Sequence, residues 1–156
     1  MGERPGPFRV HDRWEWVECT ADDKDYADVI GLAIEVRTTI TNREQQELQD
    51  RHDEVIRYEA EFGAMEPADK AKVPEDDRPW ARQRRLIAPL VRGWNAQGLD
   101  ADGNEVDLPP PAEAGPDAFE AISWTAELWI TNVVLWGYRV TGKAGGRRVP
   151  STPTSG

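Results

Sequence analysis

Between residues 100 and 105 the chain reads Asp-Ala-Asp-Gly-Asn-Glu, with oxygen-bearing side chains at Asp100, Asp102 and Asn104. That alternate spacing opens an EF-hand calcium loop, which then needs glycine at its sixth position and a bidentate glutamate at its twelfth. Glu105 and Pro111 stand at those two places, and Pro109, Pro110 and Pro111 oppose an exiting helix. The better reading is a tight reversal at Asp102-Gly103, a dipeptide that accepts positive φ cheaply. Asp22, Asp23, Asp25 and Asp28 could gather a divalent cation, but a solvated acidic loop is much the better account of them.

Nucleophilic chemistry has little material. Cys19 is the one thiol, and His11 and His52 are the only imidazoles that could serve it as a base. Their spacing matches no known catalytic arrangement, and His52 falls on the inner side of a helical pattern. The same three residues are too few for a structural zinc site, which takes four ligands. No catalytic residue, cofactor site or metal site is expected.

Arg78, Arg82, Arg84, Arg85 and Arg92 make one segment locally basic, and Trp80 and Trp94 accompany them. Basic residues interleaved with aromatics are what a nucleic-acid stripe requires. The net charge of -10 argues against it, because phosphate repels such a surface. The acidic segment 42–62 offers these arginines an internal partner.

The elements that must position these residues can be read from hydrophobic period. Residues 13–18 (RWEWVE) and 31–40 (GLAIEVRTTI) alternate as strands, the second placing Leu32, Ile34, Val36, Thr38 and Ile40 on one face. Thr41 and Glu44 form a capping-box signature ahead of a helix over 42–62 whose thin apolar stripe is Leu48, His52, Val55, Ile56, Glu59 and Phe62. Residues 63–77 read as a mobile polar linker. A second helix is expected from Asp77 to Trp94, with Pro79 in its first turn and Pro89 kinking it or ending it early. Residues 95–115 read as irregular. A third helix is expected over 117–138.

The expectation is therefore a mainly helical α+β fold, with a short antiparallel strand pair at the N-terminus followed by three helices. Residues 1–12 form a flexible arm, 13–140 a single compact domain, and 141–156 a disordered basic tail. No uncharged apolar run is long enough for a membrane span, and no secretory signal is visible. A single cysteine marks no oxidising compartment. The reading is of a soluble, intracellular protein.

Seven tryptophans are many for 156 residues. Trp94 and Trp129 fit a core. In the third helix Phe119, Ile122, Ala126, Trp129, Ile130 and Val133 share one face, while Trp124, Leu128, Leu135 and Tyr138 share another. A helix that is apolar nearly all round is central in a core or shared with a partner. Trp124, Leu128, Leu135, Trp136 and Tyr138 are thus the candidate protein-binding residues, since large rigid aromatics dominate binding energetics.

The order of elements carries a resemblance. A strand ending in VRTTITNRE, a charged helix, a polar loop and a basic segment ending in VRGWN precede an acidic glycine turn, an apolar-proline step and a closing helix. Over residues 31–138 this resembles the tail assembly chaperones of long-tailed, siphovirus-like bacteriophages. The matching residues are Trp94, Asn95, Asp102, Gly103, Val106, Leu108 and Pro109, with Phe119 and Ile122 beginning the last helix. The Trp14/Trp16 strand and the long proline-rich stretch at 109–116 depart from the pattern.

The resemblance implies a non-enzymatic protein of the host cytoplasm that binds the tape measure protein and helps tail tube subunits assemble around it. Self-association is compatible with this role; nucleic acid and membrane are not expected partners. The resemblance also implies a frameshifted longer product, for which the codons of Thr141-Gly142-Lys143 are a possible origin. The rival readings are a structural virion component, such as a head–tail connector or tail-completion protein, and a small enzyme or metal-binding regulator using the aspartate turn.

Overall fold

A computed structural model describes residues 4–7, 14–37 and 41–136 and the backbone of 147–149. It is a mixed α+β fold in which antiparallel strands come first and helices follow. Strands β1 (Trp14–Glu18) and β2 (Ala33–Arg37) pair antiparallel, with Trp16 opposite Glu35 and Val17 opposite Ile34. Ile34, Val36 and Val17 turn inward, as the alternation requires, and Trp14, Trp16 and Glu35 share the other face.

A 3₁₀ segment, Lys24–Val29, crosses between the two strands. Gly31 returns the chain at φ 100, a conformation open to glycine without strain, and its N–H donates to the Cys19 carbonyl at 3.0 Å.

Helix α1 (Asn42–Gly63) starts where the capping box places it: Thr41 Oγ1 accepts from the Glu44 N–H at 3.2 Å, and Glu44 Oε1 accepts from the Thr41 N–H at 3.3 Å. Residues 63–77 are more ordered in kind than a polar linker, because α2 (Pro67–Lys72) and a 3₁₀ turn (Glu75–Asp77) lie within them. Pro67 and Pro74 supply fixed φ at or beside the start of each.

The second long helix is corrected. Helix α3 (Pro79–Ile87) is only 9 residues, a 3₁₀ turn (Ala88–Leu90) follows, and residues 91–94 are strand β3 (Val91–Trp94). Pro89 removes an N–H donor and clashes with the preceding turn, so the chain unwinds there. What had helical spacing then satisfies a strand just as well: Val91 and Trp94 are buried, and β3 pairs antiparallel with β2.

Residues 95–115 are also not irregular throughout. Strands β4 (Gln97–Leu99) and β5 (Glu105–Asp107) form a hairpin closed by the Asp100–Asn104 turn, and α4 (Pro111–Ala114) follows. The expected third helix is divided. A 3₁₀ segment (Pro116–Ala121) precedes helix α5 (Trp124–Trp136), and Ser123 caps the latter by accepting from the Ala126 N–H at 3.1 Å.

Within the expected disordered tail, β6 (Arg147–Val149) pairs with β1, completing a sheet of order β3-β2-β1-β6. The rest of 141–156, most of the 1–12 arm, and Tyr138 lie outside the described residues.

The core lies between the inner sheet face and α5. Ile34, Val36, Ile87, Val91, Phe119, Trp129 and Ile130 meet there. Tyr26 of the β1–β2 crossover accepts from Asn132 Nδ2 at 2.6 Å, which ties α5 to the sheet.

Candidate functional site

The residues that first invited chemistry are architectural. Asp100 Oδ1 accepts from the N–H groups of Asp102 and Asn104, both at 2.9 Å, and Gly103 adopts φ 81. The carboxylate is thus spent on its own turn, as an Asx turn does. Among the described residues no group of three or more His, Cys, Asp or Glu is placed to hold a metal ion. The Trp-Asn pair acts similarly. Trp94 Nε1 donates to the Leu108 carbonyl at 2.8 Å, just before Pro109, while Asn95 accepts from Ala33 N–H and donates to the Gly31 carbonyl. The motif that carries the resemblance therefore pins the hairpin to the sheet.

Cys19 and His52 have different neighbours. The Cys19 thiol is buried beside the Tyr26 carbonyl, and burial, reinforced by Asp23, pushes its pKa up to about 12. A thiol that stays protonated is a poor nucleophile. His52 instead stands edge-on to Trp136, ring centroids 6.2 Å apart.

The arginines are dispersed over separate partners. Arg78 lies over Phe62 and Trp80, and Arg82 stacks 3.6 Å from the Tyr58 ring centroid while binding Asp77. Arg85 donates to the Asp76 carbonyl, and Arg92 binds Glu35 over Trp14. Arg84 forks onto Glu127 at 2.8 and 2.9 Å and reaches Glu120 at 2.5 Å. These hydrogen bonds, that to Glu127 first, hold its pKa above the ordinary arginine value. The carboxylates paired with these arginines are Asp77, Glu120, Glu127 and Glu35, whereas the sequence pointed to helix α1.

What the structure does bring together is a groove of about 770 Å³ between α1 and α5, backed by α3. One wall is the α1 stripe His52, Ile56, Glu59 and Phe62, at helical spacing. The other is the α5 stripe Trp124, Leu128, Thr131, Leu135 and Trp136, and Trp80 and Gln83 come from α3. Four large apolar residues of this groove stand open: Trp124 at 73% exposure, Ile56 at 50%, Trp80 at 41% and Leu128 at 37%.

Of the five candidate binding residues, Trp124 and Leu128 are exposed on the groove, and Trp136 is half-buried at its His52 end. Leu135 is corrected: at 1% exposure it belongs to the core and forms the groove floor, because α5 turns that position toward the protein. Ile56 and Trp80 were missed as binding residues. Ile56 had been read in the apolar stripe of the first helix and Trp80 among the arginines of the basic segment, and only the exposure left after the helices pack marks them out.

No helix among the described residues is long and apolar enough to cross a membrane. Compared with protein-family models, curated proteins and solved structures, the chain matches none of them.

Proposed function

We propose that the chain is a non-enzymatic binding protein which holds an apolar helical segment of a client in the α1–α5 groove. Its setting is bacteriophage tail assembly in the host cytoplasm, with the tape measure protein as client and tail tube subunits as neighbours. One observation carries the binding mode: Trp124 and Leu128, four residues apart on α5, face Ile56 and Trp80 across an open groove. Contiguous exposed apolar surface is uncommon on a monomer and marks interaction sites. Two helices flanking a groove offer the geometry in which an amphipathic helix docks by residues at i, i+3, i+4 and i+7. The setting is supported by the Trp94-Asn95, Asp102-Gly103 and Leu108-Pro109 pattern and by the closing helix.

An acidic protein with this groove can cover a sticky helix and keep it dispersed, since the net charge of -10 repels other copies of the complex. The test is co-expression with the tape measure protein of the same genome, followed by gel filtration with light scattering. A soluble complex that is lost in the Trp124→Asp/Leu128→Asp variant is the expected outcome. A ring that forms without the client and appears in purified particles would replace this reading with a structural virion component.

A further inference from the structure

The groove differs in character along its length. Near Trp136 and His52 its walls are aromatic and apolar, while towards Phe62 and Trp80 it is rimmed by Glu59 and Glu75. Two other carboxylates line it, Glu120 and Glu127, which share the single charge of Arg84 and so keep one negative charge between them. Glu59 and Glu75 are exposed, and among the described residues neither takes part in a salt bridge. Lys70 and Arg78 stack on the Phe62 ring, Arg78 on Trp80 as well, and neither lines the groove.

We propose that the occupant of the groove is an amphipathic helix whose apolar face ends in lysine or arginine, received by Glu59 and Glu75. This rests on the groove reading above and adds the chemistry of the partner. The α1 wall from His52 to Phe62 covers about 15 Å, room for roughly three turns of a docked helix. Leucine-like residues would meet Ile56, Leu128 and Trp124, and the cationic end would lie beside Glu59 and Glu75 at the Phe62 end of the groove. Four carboxylates against one arginine in the lining disfavour an acidic helix, a phosphate backbone and a second copy of this acidic chain.

The test uses the full chain and three synthetic 18-residue helical peptides. They share one leucine face and carry lysine, glutamine or glutamate at the remaining positions. Titration at low salt should give the lysine peptide about five-fold tighter binding than the glutamine peptide, from two exposed ion pairs of ordinary strength. The glutamate peptide should bind most weakly. The advantage should shrink in 0.5 M salt, about as screening requires.

Glu59→Gln/Glu75→Gln should abolish the lysine advantage without changing the glutamine peptide's Kd, whereas Glu105→Gln/Glu113→Gln, on the remote hairpin and α4, should leave it intact. Leu128→Asp should eliminate all binding. If lysine and glutamine peptides bind equally and both are lost in Leu128→Asp, the groove reading stands and the cationic partner is overturned. Lysine-peptide binding that survives Leu128→Asp, or falls equally with either carboxylate pair, means adhesion to acidic surface and overturns both. Absence of binding by all three peptides at millimolar concentration overturns the cationic partner, and client co-expression then decides the groove.

Discussion

Two tryptophans five residues apart on α5 should respond to substitution in opposite ways. Trp124 is 73% exposed and Trp129 is fully buried. Trp124→Ala removes little packing from the folded protein and introduces a better helix former, so its cost to stability should stay within about 0.5 kcal/mol. At roughly 2–4 °C per kcal/mol for a domain of this size, the melting temperature should move by no more than about 2 °C. Trp129→Phe, in contrast, leaves a partial cavity in the core and should cost about 1–2 kcal/mol, lowering Tm by roughly 2–8 °C.

Client binding should show the reverse. A tryptophan presents roughly 250 Å², of which the open share is about 180 Å²; if a docked helix covers half of that, about 90 Å² at 25 cal/mol per Å² gives ~2 kcal/mol. That is about a 30-fold rise in Kd for Trp124→Ala, in the range of an interface hot spot. Trp129→Phe should leave Kd within about two-fold. Thermal unfolding followed by circular dichroism, with calorimetric titration of the client segment, measures both quantities. A fall of more than 5 °C for Trp124→Ala, or an unchanged client Kd, would refute the assignment of this residue to a binding face.

Arg84→Met should destabilise the protein by about 1–2 kcal/mol, because Glu127, itself largely buried, loses its bidentate partner; chemical denaturation measures it, and Arg84→Met/Glu127→Leu should recover most of the loss. The Cys19 thiol, buried and pushed up to about 12, should resist a thiol reagent at pH 8 in the native protein and react fully once denaturant unfolds it. Rapid stoichiometric labelling of the native protein would contradict that burial. Hydrogen bonding to Thr41, with help from Arg37, holds the Glu44 carboxyl below its ordinary value. The support it gives to the start of α1 is therefore complete above about pH 4.5 and disappears as pH falls through the lowered folded value. Amide exchange in the first turn of α1 should accelerate over that acid range, and Glu44→Gln should flatten the response.

Local signals with a local mechanism were legible in the chain. The Thr41/Glu44 capping box is satisfied by residues three apart, so the start of α1 could be read without knowing anything distant. The alternation of Ile34 and Val36 with Glu35 and Arg37 likewise gave β2 its inner face, and Asp102-Gly103 its turn. Residues 91–94 were misread for the opposite reason. Four residues with one apolar position at either end suit a helix turn and a strand alike, and only pairing with β2 decides between them. The division at Ser123 and the short helix inside 63–77 were hidden because apolar period alone does not mark a break.

For the binding face, composition and period determined that α5 has more apolar surface than one core contact can use. Which part stays open was a tertiary decision. Trp124, Leu128 and Leu135 occupy one stripe in sequence, yet the packing of α5 buries the last and leaves the first two on the groove with Ile56 and Trp80. The same holds for charge. A chain reads as basic over 78–92, but whether its arginines face outward or close ion pairs depends on acids 36 and 43 positions away from Arg84. Hydrophobicity and charge are properties of residues; exposure is a property of their neighbours, and the fold alone supplies those.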